Sequence, residues 1–150
     1  MVLTHGADAA VLARLPVLEC LNRQAVVIPE EATLDQIVAT IGASRQAEFP
    51  VVDGARRLVG VLTQAAVREA LEDGERLRAF LLAADLAQPE KEPLTAEDTL
   101  LTALRRFGAR DVSLLPVVAA DDRERLAGTV SRQDLMAAYE RGLTAEGGGY

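Results

Sequence analysis

The residues best suited to binding chemistry stand together near the end of the chain. Ser131 follows a short apolar run and opens an amphipathic segment, and Asp134 comes three residues later, with Arg132 between them. This spacing of serine and acid is typical of a helix N-terminus, where the serine caps free backbone N–H groups. Because such an end offers those N–H groups and a positive dipole, it suits an anionic or hydroxyl-bearing ligand.

The same pattern occurs earlier, so the chain contains a repeat. Residues 58–71 read LVGVLTQAAVREAL and residues 126–139 read LAGTVSRQDLMAAY, which places Gly60 and Gly128, like Thr63 and Ser131, 68 residues apart. Upstream, the segments FPVV at residues 49–52 and LPVV at 115–118 match at an offset of 66. A repeat over this length predicts two copies of one folding unit.

Hydrophobic periodicity gives the elements of each copy. The first copy predicts a short helix at 17–22, strands at 25–28, 49–52 and 58–62, and helices that begin at Thr33 and Thr63. The second copy predicts a short helix at 82–87, strands at 93–95, 114–118 and 126–130, and helices that begin at Thr99 and Ser131. We therefore expect an α/β fold made of two β-α-β-β-α units packed about a pseudo-twofold axis, with Val51, Val61, Val117 and Val130 buried.

The domain boundaries follow from the repeat. Residues 1–16, with a helical stretch at 8–15, form an N-terminal connector, 17–72 the first repeat, 73–84 a connector between the repeats, 85–143 the second repeat, and 144–150 a flexible tail. We expect the inter-repeat connector and the tail to be more mobile than the repeats, because they lack strand partners.

Composition excludes several classes of function. The net charge of −7, from 16 basic and 23 acidic residues, disfavours nucleic acid and anionic lipid as partners. No apolar stretch is long enough to span a membrane. The single cysteine, Cys20, fits a reducing compartment, so we expect a cytoplasmic location. The single histidine, His5, lies in the N-terminal connector, which leaves no support for histidine-based catalysis or metal binding, and we expect no enzymatic activity.

The double Pro-Val-Val and the double Gly-x-x-Ser/Thr resemble the tandem CBS domain pair, also called the Bateman module. The resemblance covers residues 17–143. The connector phrase Ala83-Ala84-Asp85-Leu86-Ala87 and the ending from Ser131 to Tyr139 look like the cytoplasmic C-terminal tails of chloride channels and transporters. The resemblance implies a fold in which clefts between the repeats hold an adenine nucleotide such as AMP, ADP or ATP, with no other cofactor and no metal.

Carried onto this chain, the resemblance implies one well-equipped cleft. Asp134 would hold ribose hydroxyls, Ser131 and the helix end would receive phosphate, and Arg132 would add positive charge. The whole predicted lining is Ala25, Val26, Val27, Gln46, Ala47, Glu48, Phe49, Ser131, Arg132, Gln133 and Asp134.

The other implied cleft has an alanine, Ala66, where the acid would stand. Without that acid the ribose loses a charge-assisted hydrogen bond, worth roughly 1.5–3 kcal/mol. We therefore expect this cleft to be empty or weak. Its predicted lining is Thr63, Lys91, Glu92, Pro93, Val112, Ser113 and Leu114.

Three functions remain open at this point. The leading hypothesis is a non-catalytic regulatory module that senses an adenine nucleotide or transmits conformation, as the tail of a chloride transporter or as a stand-alone sensor. The second is a dimerisation module that binds no ligand, in which Ser131 and Asp134 only cap their helix. The third, an enzyme, lacks a convergent nucleophile and base. In either of the first two cases we expect a homodimer formed through helical faces.

Overall fold

The computed structural model describes residues 6–74 and 78–147. The strands are β1 (Ile28–Pro29), β2 (Glu48–Val52), β3 (Leu58–Thr63), β4 (Leu94–Thr95), β5 (Leu114–Val118) and β6 (Leu126–Ser131). The α-helices are α1 (Gly6–Arg14), α2 (Leu34–Gly42), α3 (Gln64–Glu72), α4 (Ala83–Leu86), α5 (Leu100–Ala109) and α6 (Arg132–Gly147), and a 3-10 helix spans Val17–Cys20.

The strands form two three-stranded sheets with the same order. In the first sheet β1 pairs parallel with β2, which pairs antiparallel with β3, and β4, β5 and β6 repeat this arrangement in the second. Each antiparallel pair has an irregularity at the same place, between Val51 and Val52 and between Val117 and Val118. The predicted α/β fold of two β-α-β-β-α repeats is confirmed.

Several predicted boundaries need correction. The first strand was expected at residues 25–28, but it spans Ile28–Pro29, because only these residues pair with β2. The last helix continues to Gly147, so the predicted tail at 144–150 is helical in its first part. Residues 75–77 of the predicted connector and residues 148–150 of the tail lie outside the described residues.

The segment before each sheet packs on the other repeat. Val11 and Leu12 of α1, with Val17 and Cys20, are buried in a core with the helices of the second repeat, whereas Ala83 is buried in the core of the first. Backbone hydrogen bonds hold each segment on the other repeat. One of them runs from the Val17 N–H to the Asp98 carbonyl at 2.7 Å. The N-terminal segment was expected to be only a connector, but its helix is part of the second core.

The two matched glycines are required where these segments cross the sheets. Asn22 pairs with Thr129 beside Gly128, and Gln88 pairs with Val61 beside Gly60. A Cβ atom on Gly128 would lie 2.4 Å from the Asn22 carbonyl oxygen, and one on Gly60 would lie 2.6 Å from that of Gln88. Only a residue without a side chain permits this approach of two backbones.

Three of the four valines that were expected to be buried lie in the two cores. Val51 lies in the core of the first repeat, and Val117 and Val130 lie in the core of the second, all with no solvent exposure. Val61 is only half-buried, because it lines a cleft between the repeats. That prediction was therefore right for three of the four.

Candidate functional site

Ser131 ends β6 and caps the helix that follows. Its Oγ accepts a hydrogen bond from the Asp134 backbone N–H at 3.0 Å, and Thr63 caps α3 in the same way through the Ala66 N–H at 3.1 Å. The capping role predicted for both residues is confirmed. Asp134 is a half-buried residue, and its carboxylate makes no hydrogen bond or ion pair with another described residue. It thus does not complete a capping box with the Ser131 N–H, although a carboxylate in the first turn also stabilises the helix dipole without that bond.

Asp134 opens onto a cleft of about 500 Å³ between the two repeats, which we call the Asp134 cleft. Its lining combines the loop before β2 with the β6–α6 junction. The residues are Asn22, Arg45, Gln46, Ala47, Ser113, Leu114, Thr129, Ser131, Arg132, Gln133 and Asp134. Six of them were predicted: Gln46, Ala47 and the four from Ser131 to Asp134.

The other five predicted residues lie elsewhere. Phe49 is fully buried in the first core, and Glu48 lines the second cleft. Ala25, Val26 and Val27 do not line the cleft, because the Gln46 side chain is bound to that segment. Its Oε1 accepts from the Val26 N–H at 2.6 Å, and its Nε2 donates to the Val26 carbonyl at 3.0 Å.

Arg132 lines the cleft, but its guanidinium group is used elsewhere. It donates to the backbone carbonyls of Val112 at 2.7 Å, Phe107 at 2.8 Å and Arg110 at 3.0 Å. It also lies 5.0 Å from the ring centroid of Phe107. These bonds stabilise the C-terminal end of α5, and the expectation that Arg132 supplies charge to a ligand stays a prediction.

Arg45 is the cation that sequence reasoning missed. It belongs to the loop between α2 and β2, is exposed, and lines the Asp134 cleft from the first repeat. No hydrogen bond or ion pair joins its guanidinium to another residue in the described ranges. The cleft thus has an unpaired carboxylate from one repeat and an unpaired guanidinium from the other.

The second cleft, of about 370 Å³, lies around Thr63, and we call it the Thr63 cleft. Of its predicted residues Thr63, Lys91, Val112 and Leu114 line it, whereas Glu92 and Pro93 do not and Ser113 lines the Asp134 cleft instead. Residues that were not predicted complete the lining: Glu48, Val61, Gln88, Pro89, Glu90, Arg110, Leu115 and Pro116.

Two of the charged residues that line the Thr63 cleft neutralise each other. Arg110 forms an ion pair with the Glu90 carboxylate at 2.5 Å. Burial acts to raise the pKa of Glu90, but hydrogen bonds from Arg110 and from the Glu92 N–H outweigh it and hold that pKa below its ordinary value. The hydrogen bond to Glu90 likewise raises the pKa of Arg110. The positive charge of Arg110 is thus already paired with the Glu90 carboxylate.

Glu48 lies between the two clefts. Its side chain is buried, and its carboxylate accepts from the Ser113 backbone N–H at 3.1 Å and lies 3.5 Å from the Ser113 Oγ. Glu48 lines the Thr63 cleft and Ser113 lines the Asp134 cleft, so this hydrogen bond forms part of the wall between them.

A profile of the CBS domain family matches residues 14–73 and 83–141, which is most of the chain and both repeats. This chain belongs to the CBS domain family. The two matched ranges make it a tandem CBS pair, as the sequence indicated.

Known proteins similar to this CBS pair agree with that assignment. A CBS domain-containing protein of Dictyostelium discoideum is 27% identical over 129 residues, covering 80% of this chain and 88% of its own. A structure of the CBS domain of a bacterial CNNM/CorC family Mg²⁺ transporter in complex with ATP has a TM-score of 0.71 at 22% identity, covering 89% of this chain and 93% of its own. Structures of CBSX2 with AMP and of CbpB with c-di-AMP have TM-scores of 0.72 and 0.77 at 20% and 13% identity. They cover 85% and 96% of this chain, and each covers 97% of its own.

The described part of the CBS pair contains neither a membrane-spanning helix nor a group of metal-binding side chains. None of its helices is long and apolar enough to cross a membrane. Within residues 6–74 and 78–147, no three His, Cys, Asp or Glu side chains are grouped so that they could hold a metal ion.

Proposed function

We propose that this CBS pair is a non-catalytic regulatory module that binds an adenine nucleotide in the Asp134 cleft. The observation that carries the proposal is Asp134, a half-buried residue that lines a cleft between the repeats and whose carboxylate has no partner in the described chain. A half-buried carboxylate is stabilised by hydrogen-bond donors, and a pair of ribose hydroxyls supplies two.

The rest of the cleft suits the rest of a nucleotide. The Ser131 hydroxyl hydrogen is available to a phosphate oxygen, since its Oγ already accepts from the Asp134 N–H. Arg45 faces the same space with an unpaired guanidinium, a group that matches phosphate in geometry and charge. A volume of about 500 Å³ lies in the range of small-ligand sites.

The solved relatives support a nucleotide as the ligand class. Three of them were solved in complex with ATP, AMP or c-di-AMP, and all three ligands contain adenine. Which nucleotide this chain prefers rests on Arg45, because a second or third phosphate gives its guanidinium more charge to bind.

We propose the Thr63 cleft as an empty or weak site. It has Ala66 where the other cleft has Asp134, and its arginine is already paired with Glu90. The Glu48 carboxylate also lines it and repels an anionic ligand, whereas the Lys91 ammonium, which lines it too, attracts one.

We propose that the CBS pair passes a conformational change to a partner. We propose a homodimer through helical faces, supported by exposed apolar side chains such as Val38 on α2 and Leu71 on α3. Attachment to an ion transporter is supported by the Mg²⁺ transporter relative, and a chloride transporter in particular remains a prediction from the sequence.

Thermal melting tests the nucleotide proposal. The protein is melted alone and with AMP, ADP, ATP or c-di-AMP at several millimolar, with guanosine nucleotides as the control for unspecific phosphate binding. A ligand at 100 times its Kd adds about 2.7 kcal/mol, which raises the Tm of a chain this long by several degrees. No shift with any adenine nucleotide would leave the dimerisation module as the function.

A further inference from the structure

A third cavity is lined by arginines from three separate segments. Its volume is about 460 Å³, and it shares no lining residue with the Asp134 cleft or the Thr63 cleft. Arg23 precedes β1, Arg56 lies in the β2–β3 turn, and Arg125 lies in the β5–β6 turn. The remaining lining is apolar: Ala96, Ala119, Ala120, Leu126 and Ala127. We call this the arginine cavity.

Backbone hydrogen bonds between the two repeats hold two of these arginines side by side. The Leu126 N–H donates to the Arg56 carbonyl at 3.0 Å, and the Leu58 N–H donates to the Glu124 carbonyl at 2.7 Å. Arg57 and Arg125 form the antiparallel bridge between these bonds. The positions of Arg56 and Arg125 are therefore set by the fold itself.

Arg56 is the only non-glycine residue of the described chain with a positive φ, at 63°. The Asp53 side chain enforces the turn, because its Oδ1 accepts from the N–H groups of Ala55 at 2.9 Å and Arg57 at 2.8 Å. Glycine or asparagine is favoured in this left-handed conformation, and an arginine there is strained. Strained residues of this kind are found more often at functional sites than elsewhere.

The positive charges of the cavity are poorly neutralised. No hydrogen bond or ion pair in the described ranges involves the side chain of Arg23 or Arg56, and Arg125 has only an exposed contact with Asp121 at 3.3 Å. The acidic residues of the same turn do not line the cavity. Asp122 accepts from the Glu124 N–H at 3.1 Å, and the Glu124 carboxylate lies 4.0 Å from Arg57. This concentration of positive charge stands in a chain of net charge −7.

We propose that the arginine cavity binds a small phosphate-bearing molecule, at a site separate from the nucleotide clefts. Guanidinium groups bind phosphate oxygens in pairs, and three exposed arginines line this cavity beside an apolar wall. The phosphate can come from an inorganic ion or from a small organic phosphate, whose carbon skeleton would contact the alanines. The proposal does not depend on nucleotide binding in the Asp134 cleft.

Residue-resolved NMR titration distinguishes these sources and sites. The full chain is titrated with pyrophosphate, inorganic phosphate and ribose 5-phosphate, each at fixed ionic strength set with sodium chloride. The expected result is saturable shifts of the amides at residues 54–57 and 119–126, with those at 131–134 reporting any binding in the Asp134 cleft. Tighter binding of ribose 5-phosphate than of phosphate assigns the organic form, and the reverse order assigns the inorganic form.

Variants separate a binding role from a structural one. Arg56→Gly places the favoured residue in the left-handed turn, so the variant should melt at or above the wild-type temperature while binding weakens about tenfold or more. Arg23→Gln should weaken binding similarly. Arg68→Gln, which removes an exposed arginine outside all the cavities, is the matched control and should leave binding unchanged. Absence of saturable shifts at 54–57, or equal weakening by Arg68→Gln, would overturn the proposal.

Discussion

The carbonyl oxygen of Asn22 lies 2.4 Å from the place that a Cβ atom on Gly128 would occupy. Asn22 belongs to the segment before the first sheet, and Gly128 lies in the last strand of the second. Two backbone hydrogen bonds between Asn22 and Thr129, at 2.8 and 3.0 Å, hold the two segments together. The Gly-x-x-Ser/Thr pattern therefore has two structural roles. Its glycine leaves room for the crossing segment, and its serine caps the helix at the cleft.

Gly128→Ala should destabilise the protein, because the new methyl group must displace a backbone segment of the other repeat. Overpacking of this kind costs about 1–3 kcal/mol, and Gly60→Ala should act similarly through Gln88. Gly54→Ala is the control, since a Cβ there meets no atom within 4 Å. Urea unfolding of the three variants checks this, and a Gly128→Ala protein as stable as Gly54→Ala would show that the two segments do not cross in this way.

Arg132→Gln should destabilise the fold, whereas Arg45→Gln should leave stability unchanged and weaken nucleotide binding. The first substitution removes the group that donates to three carbonyls near the end of α5, and hydrogen bonds from charged groups contribute about 1.5–3 kcal/mol each. The second removes an exposed guanidinium whose proposed partner is phosphate. Denaturation and calorimetric titration of both variants provide the measurement. The opposite pattern, with Arg132→Gln stable and unable to bind, would restore Arg132 as the phosphate ligand.

The ion pair between Glu90 and Arg110 should make stability depend on pH in the acid range. The pKa of Glu90 in the folded chain lies below its ordinary value of 4.5, so the pair stabilises the fold above that pH. That stabilisation is lost as the pH falls through the lowered pKa. Glu90→Gln should therefore be less stable than wild type near neutral pH, with the difference narrowing below about pH 4.5. Glu97→Gln, at an exposed residue that forms no ion pair with another described residue, is the control, and a difference that did not change with pH would contradict the prediction.

Cys20 should react slowly with thiol reagents in the folded protein. Burial, followed by the charge of Asp134, raises the pKa of Cys20 to about 11, which leaves little of the reactive thiolate near pH 8. The rate of disulfide exchange with an aromatic disulfide should rise on unfolding in urea. Asp134→Asn should also raise the rate in the folded protein, because it removes a negative charge that opposes ionisation. Equal rates in folded and unfolded chains would show that Cys20 is accessible.

Local sequence signals were enough to predict the two repeats. The proline and valines of β2 and β5, and the threonine or serine that opens each following helix, act within a few residues, so their pattern survives in a single sequence. The packing of the segment before each sheet on the other repeat could not be predicted from such local signals. The Val17 N–H bonds to the Asp98 carbonyl across most of the chain, and no local pattern encodes that distance. The apolar spacing of Val11, Leu12 and Leu15 was the available signal that α1 is buried.

The site was predicted in part for a similar reason. Ser131 and Asp134 are placed by the helix start, which the sequence marks clearly. The direction of the Arg132 side chain depends on carbonyl groups at the end of α5, and these are brought near only by the tertiary fold. Arg45 carries no motif of its own, and only the packing of its loop against the second repeat places it at the cleft.

Calorimetric titration of Asp134→Asn with AMP and ATP tests the central claim most directly. Asparagine keeps the size of the side chain and its capacity to accept a hydrogen bond, but it loses the charge that strengthens bonds from ribose hydroxyls. Asp73→Asn, which removes the same charge at an exposed residue outside both clefts, is the matched control. We predict one nucleotide per chain for wild type and Asp73→Asn, and binding weakened about tenfold or more for Asp134→Asn. No heat from wild type at several millimolar nucleotide, or equal affinity in all three proteins, would contradict the claim that Asp134 holds a nucleotide.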